Sequence, residues 1–218
     1  MAPRMSDETY FPSYTRWERL ADAAIHAAGV PLGIVAGGLL LARSGPDILI
    51  PVSIYVFGLV FMLSASAAYQ LAQPSRLKEW LRRIDRCAIF VMIAGTYTPI
   101  SVTTLSVNFG FGLCALQWGL AAAGIALTLK FPRKYERAML GLYFLMGWLL
   151  IVLIRYAWAE LAPNVLALIV AGGLAYTVGA FLQRSRMKFH NPVWHFLVLL
   201  AASLQYAAIA LQLTGTIF

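Results

Sequence analysis

The sequence predicts an all-α membrane protein, a bundle of seven transmembrane helices with its N-terminus in the cytoplasm and its C-terminus outside. Three observations carry this. Of the 218 residues, 61% are apolar and only 12% charged, against roughly 45–50% and about 25% in a soluble domain, which excludes an ordinary water-soluble enzyme. The apolar residues form long runs separated by short charged links, and about 20 such residues are enough to cross a hydrocarbon core of roughly 30 Å. The basic residues alternate from link to link. Arg4, Arg16 and Arg19, then Arg76, Lys78, Arg82, Arg83 and Arg86, then Lys130, Arg133, Lys134 and Arg137, then Arg184, Arg186 and Lys188 account for 15 of the 17. The intervening set holds only Arg43 and Arg155. Because Lys and Arg mark cytoplasmic loops, the alternation supports both the count of seven and the orientation.

The first 22 residues read as a polar cytoplasmic segment and residues 23–218 as one seven-helix domain. The first apolar run begins only near Ala23, behind Arg4, Asp7, Glu8, Arg16, Glu18, Arg19 and Asp22, so it is expected to be a retained span and not a cleaved signal peptide. The predicted spans are Ala23–Ala42, Ile48–Ala72, Asp85–Leu105, Phe111–Leu129, Glu136–Ile154, Pro163–Leu182 and Pro192–Gly215. None shows the period-two alternation of a lipid-facing barrel strand.

In the first span Gly29, Gly33 and Gly37 recur every four residues, a spacing that admits a second helix backbone, either within the chain or across a homodimer. In the third, Pro99 deprives the carbonyl of Gly95 of its donor, predicting a kink that Thr96 and Thr98 help to satisfy. Cys87 and Cys114 fall in different runs without paired spacing and read as buried thiols. Trp17, Trp80, Trp118, Trp148 and Trp158 sit near span ends or on apolar faces, as interfacial anchors do. The net charge of +8 is distributed through short links that offer no folded basic surface. It therefore points to membrane topology and lipids as partners, and not to nucleic acid.

Polar residues inside spans are costly and mark sites by default. Asp22 and His26 open the first span, Ser66 and Gln70 lie toward the end of the second, Asp85 opens the third, and Asn191 and His195 open the seventh. All fall in the cytoplasmic half, so four helices place carboxylates, imidazoles, amides and a hydroxyl at similar depth. A ligand cavity or a metal site needs such a convergence. Each residue also has a plainer role. His195 can be a core histidine or donate to Asp85, Asp85 can pair with Arg82, Arg83 or Arg86, and Ser66 can serve helix packing. Asn191 before Pro192 reads as an N-cap followed by the first helical residue. His190 lies five residues before His195, about 140° away around a helix, which separates it from that face.

The strings Glu18-Arg-Leu-Ala-Asp-Ala-Ala-Ile-His26, Ser66-Ala-Ala-Tyr-Gln70, Asp85-Arg-Cys-Ala-Ile89, Ile93-Ala-Gly-Thr-Tyr-Thr-Pro99 and Asn191-Pro-Val-Trp-His195 resemble the hemolysin III family, the bacterial branch of the progestin and adipoQ receptor (PAQR) superfamily. Further matches lie at Trp118-Gly119, Met146-Gly-Trp148, Gly172-Gly173 and Tyr176-Thr-Val-Gly179. The resemblance runs from about Trp17 to Ala208. It implies seven transmembrane helices, a cytoplasmic N-terminus in a bacterial inner membrane, and a zinc site near the cytoplasmic face. That site would take one histidine from the second helix and two from the seventh. This sequence has Gln70 and Asn191 at two of those positions and keeps only His195, while Ser66, Asp85 and His26 are retained and Asp22 replaces an asparagine.

Three protein ligands are the usual minimum for a catalytic zinc, so no metal is expected at the family positions. A rearranged set from His26, Asp85, Cys87 and His195 is disfavoured because residues two apart face different sides of a helix. The expected function is accordingly a non-enzymatic membrane protein whose polar cytoplasmic-side cavity binds a lipid or small amphiphile. One alternative is a metal-dependent lipid amidase or esterase using Ser66, Asp85 and His195, which would lack its activated water. The other, suggested by the family name, is a pore-forming cytolysin. Homo-oligomerisation is compatible with all three.

Overall fold

The structure is a computed structural model that describes residues 11, 13–152, 161–185 and 187–217. Those residues form seven α-helices and no strand: α1 (Arg16–Arg43), α2 (Pro46–Leu71), α3 (Arg76–Thr103), α4 (Val107–Lys130), α5 (Glu136–Val152), α6 (Pro163–Gln183) and α7 (His190–Thr214). All but α5 are long and apolar enough to cross a membrane. The fifth predicted span continues to Ile154. That residue, Arg4, Arg155, Trp158 and Arg186 lie outside the described residues.

Two helices start well before the apolar runs that announce them, and local chemistry explains both. For α1, Thr15 and Glu18 form a capping box: the Thr15 hydroxyl accepts from the Glu18 amide, and the Glu18 carboxylate accepts from the Thr15 amide at 2.9 Å. Two exposed backbone donors are thereby satisfied. For α3, the Ser75 hydroxyl accepts from the Lys78 amide, and the charged residues of the first turns pair with one another inside the helix. The segment before Asp85 is therefore helix, not link.

Around the bundle α1 packs on α2, α2 on α3 and α3 on α4, while α6 packs on α7 and α7 returns to α1, closing the ring. α5 touches α3, α4 and α6, and α3 also meets α7. The interior holds Tyr55, Phe90, Leu40, Met146 and Ile209, all fully buried. Large apolar side chains such as Leu32, Ile50, Phe57, Phe111, Phe181 and Phe196 face outward, as expected where the surrounding solvent is hydrocarbon.

Small residues set the closest approaches. The stripe Gly29, Gly33 and Gly37 is buried, facing Leu199 of α7, Leu63 of α2 and Val56 of α2 respectively, so its spacing serves packing within the chain. Between α2 and α3 the contact is backbone to backbone. A Cβ at Gly58 would lie 3.3 Å from the Val91 carbonyl oxygen, and one at Gly95 would lie 3.4 Å from that of Ile54. Gly58→Leu should accordingly lower stability by about 1–3 kcal/mol through overpacking, with Gly58→Ala much milder. Thermal unfolding in detergent checks this, and equal melting temperatures for both variants and the parent would contradict it.

The helix α3 continues past Pro99 to Thr103. Thr96 and Thr98 donate to the carbonyls of Met92 and Ala94, each at 2.8 Å, and not to the freed Gly95 carbonyl. Trp17 and Trp80 are exposed, as anchors would be. By contrast Trp118 and Trp148 turn their indole N–H groups inward, onto Thr98 at 3.0 Å and Thr177 at 3.1 Å. Cys87 is buried and Cys114 half-buried, and both are free thiols.

Candidate functional site

The site is assembled where the starts of α1, α3 and α7 meet the end of α2. On α1, Glu18, Asp22 and His26 follow one another at four-residue spacing and are all buried, so they stack on a single helix face. Glu18 then does a second job. Its Oε1 accepts from the backbone amide of Phe189 at 2.9 Å, tying the residue just before α7 to the first turn of α1. This long-range bond sets the register that places Asn191 and His195 beside Asp22.

Asp22 is the hub. His195 Nδ1 lies 2.5 Å from Asp22 Oδ1, and the Asn191 amide donates to Asp22 Oδ2 at 3.2 Å. His26 Nε2 lies 3.9 Å from Asp22 Oδ2, and the His26 and His195 rings are 4.7 Å apart at a 56° tilt. On its far side, His195 Nε2 meets the Gln70 amide at 3.3 Å. Ser66 on α2 faces Asp85 on α3. All seven residues singled out from the sequence therefore lie at one end of the bundle, five of them in one contact network and two as an adjoining pair.

Several pairings differ from expectation. His195 bonds Asp22 on α1 and not Asp85 on α3. The arginines beside Asp85 in sequence are engaged elsewhere. Arg82 makes a bidentate contact with Glu79 (3.1 and 2.8 Å) and reaches Glu136 at 3.0 Å, Arg83 lies 3.7 Å from Glu79, and Arg86 lies 3.6 Å from Glu136. Asn191 is not a helix cap. The helix starts one residue earlier, at His190, with Phe189 as N-cap in the left-handed region at φ 61°, which leaves the Asn191 side chain free to bond Asp22. His190 turns away, its Nδ1 2.9 Å from the Met187 carbonyl and its ring against Tyr14. The group of potential metal ligands that the fold gathers is Asp22, His26 and His195. It does not include Asp85 or Cys87.

A cavity of about 380 Å³ opens from this cluster, within the usual range of small-molecule sites. Its polar end is lined by Gln70, Asp85, Asn191 and His195, together with the charged residues Arg82, Arg86, Arg133 and Glu136. Deeper in, the lining becomes mainly apolar, with Met62, Met92, Ile93, Ile100 and Ile169. Sequence reasoning missed the polar groups at that depth. Ser101, Tyr176 and Gln205 also line the cavity; Gln205 donates to the Ile169 carbonyl at 3.1 Å, while the buried Tyr176 hydroxyl has no partner among the described residues. A mid-span glutamine was the available signal, because an amide there needs a built partner.

The family-implied zinc does not fit the residues at its usual place. Gln70 and Asn191 present neutral amides, one against His195 and the other against Asp22, which leaves one imidazole where three ligands are needed.

The family model described as "Haemolysin-III related" matches residues 17–206. The chain is 34% identical to "Hemolysin-3 homolog" of Bacillus subtilis (strain 168), over 85% of this chain and 90% of that protein. It is 28% identical to "Hemolysin-3" of Bacillus cereus over 99% of both. More distantly, it is 26% identical to the human "Monocyte to macrophage differentiation factor", over 89% of this chain and 84% of that protein. No solved structure matches. Matched over nearly its whole length and built from helices apolar enough to span a bilayer, the chain is a multi-pass membrane protein of the hemolysin III/PAQR family.

Proposed function

We propose that the protein binds a lipid or small amphiphile in the interhelical cavity, with the polar head at the Gln70–Asp85–His195 end and the apolar part along α3 and α6. The observation that carries this reading is the shift within one cavity from charged and amide groups at the cluster end to a mainly apolar lining of Met and Ile side chains farther along the helices. Such an asymmetric lining matches an asymmetric ligand. Hydrolysis at this end is disfavoured, because Gln70 and Asn191 offer no ligand that could hold a water-activating metal beside Ser66 and Asp85.

The seven-span topology with the site on the cytoplasmic side belongs to the same proposal. It is supported by six qualifying helices, by an apolar α5 that reaches the edge of the described residues, and by the basic residues Arg82, Arg86 and Arg133 at the site's end of the bundle.

The cavity can be filled from α6. A Cβ at Gly173, itself part of the cavity lining, would meet the Trp148 ring at 3.5 Å, an ordinary contact, so the backbone accepts a side chain at this point of the wall. Gly173→Leu should weaken binding of a fluorescent single-chain amphiphile by at least about 10-fold, or 1.4 kcal/mol, without lowering the melting temperature. Unchanged affinity in a folded variant would contradict the assignment.

A further inference from the structure

We propose that Asp22, His26 and His195 form a site for a divalent transition-metal ion of the zinc class, clamping α1 to α7 behind the cavity. The three residues supply one carboxylate and two imidazoles, the borderline donors such ions prefer. Their donor atoms all lie within 4.8 Å of one another, and each residue is only 6% exposed. Donors bound to one ion at about 2.0–2.2 Å stand somewhat over 3 Å apart, so modest side-chain movement closes the site.

An independent observation points to a ligand. His26 Nε2 is buried and has no hydrogen-bond partner among the described residues, although it faces Asp22 Oδ2 across 3.9 Å. That gap is too long for a hydrogen bond and close to the span of two donors sharing an ion. A buried polar atom left without a partner costs about 1–3 kcal/mol, which a bound cation would remove.

The site is distinct from the family's zinc position. It uses α1 and α7 where that position uses α2 and α7, and it shares only His195. Neither Asp22 nor His26 lines the cavity, so the ion would sit behind the imidazole. Asp22, where the resemblance implies asparagine, adds the anionic donor. Coordination through His195 Nδ1 displaces the hydrogen bond to Asp22 and leaves the ring proton on Nε2, facing Gln70. The Gln70 side chain can turn its oxygen to accept that proton.

The test uses the purified full-length protein in detergent, stripped with a chelator and titrated with Zn(II) and Co(II). One equivalent of each is expected, with the visible d–d absorbance of low-coordinate Co(II). His26→Gln and Asp22→Asn should each weaken binding by roughly 100-fold, losing one ligand of three, while Gln70→Ala, which removes only the outer acceptor of the His195 ring proton, should weaken it less than either. A folded wild-type protein that takes up no ion overturns the proposal, whatever the variants do. So does binding that survives His26→Gln and is lost in Gln70→Ala, because the ion would then lie at the cavity end. Amphiphile affinity is read separately, so failure here leaves the cavity reading intact.

Discussion

A chain carrying Asp22→Asn, Gln70→His and Asn191→His retains one zinc ion per molecule at the cavity end after chelator washing, whereas Asp22→Asn alone, with its α1–α7 site weakened, retains none. Gln70 Nε2 already lies 3.3 Å from His195 Nε2, so an imidazole at position 70 brings a second nitrogen donor into the range of an ion shared with His195. Position 191 precedes His195 by one helical turn on the same face of α7. Its side chain is now held by Asp22 at 3.2 Å, and Asp22→Asn removes the charge that attracts it while also removing the anionic donor of the α1–α7 site. Three imidazoles then converge beside Asp85, the open three-ligand arrangement of a catalytic zinc. Affinity should be submicromolar, more than about 8 kcal/mol, read as metal content after chelator washing. Zinc content no higher than in Asp22→Asn would show that the backbone, and not ligand identity, separates this chain from the zinc-binding pattern.

Removing the carboxylate of Glu79 should be the most destabilising single change on the polar face. Glu79 is 4% exposed and receives Arg82 through two bonds and Arg133 at 2.8 Å, with Arg83 at 3.7 Å. Arg82 is equally buried. Glu79→Gln leaves that guanidinium with the half-exposed Glu136 as its one acidic partner among the described residues. Breaking a buried pair by removing one member costs about 3–5 kcal/mol, a large share of the 5–15 kcal/mol that holds a typical domain together. The melting temperature in detergent should fall sharply. In the double variant Glu79→Gln/Arg82→Met it should partly recover, because no buried charge is left alone. A melting temperature equal to that of the parent would contradict the account of this network.

Much of the site was legible because its parts are local. Asp22 and His26 on α1, and Asn191 and His195 on α7, each recur at four-residue spacing, and in an apolar helix that spacing is enough to place both groups on one buried face. The partner of His195 was not legible. Whether it bonds Asp22 or Asp85 depends on how α7 is set against α1. That setting rests on the bond between Glu18 and the Phe189 amide, a contact between distant parts of the chain that no local pattern encodes. The early start of α3 was hidden for a different reason. Arg76, Lys78, Glu79, Arg82 and Arg83 read as a charged link, yet in the helix Glu79 meets Arg82 and Arg83 three and four residues on, so one carboxylate is shared by two guanidiniums within the turns that carry them. The metal-ligand group was not legible because the closeness of Asp22 to both imidazoles appears only once α1 and α7 are side by side.

The central claim is that the cavity between the helices is a binding site for an amphiphile. Native mass spectrometry of the protein extracted from membranes in mild detergent tests it most directly. The account predicts a population carrying one lipid-sized adduct that survives detergent removal and is lost in Gly173→Leu. A wild-type protein that retains no adduct, or one that retains it equally in the filled-cavity variant, would contradict it.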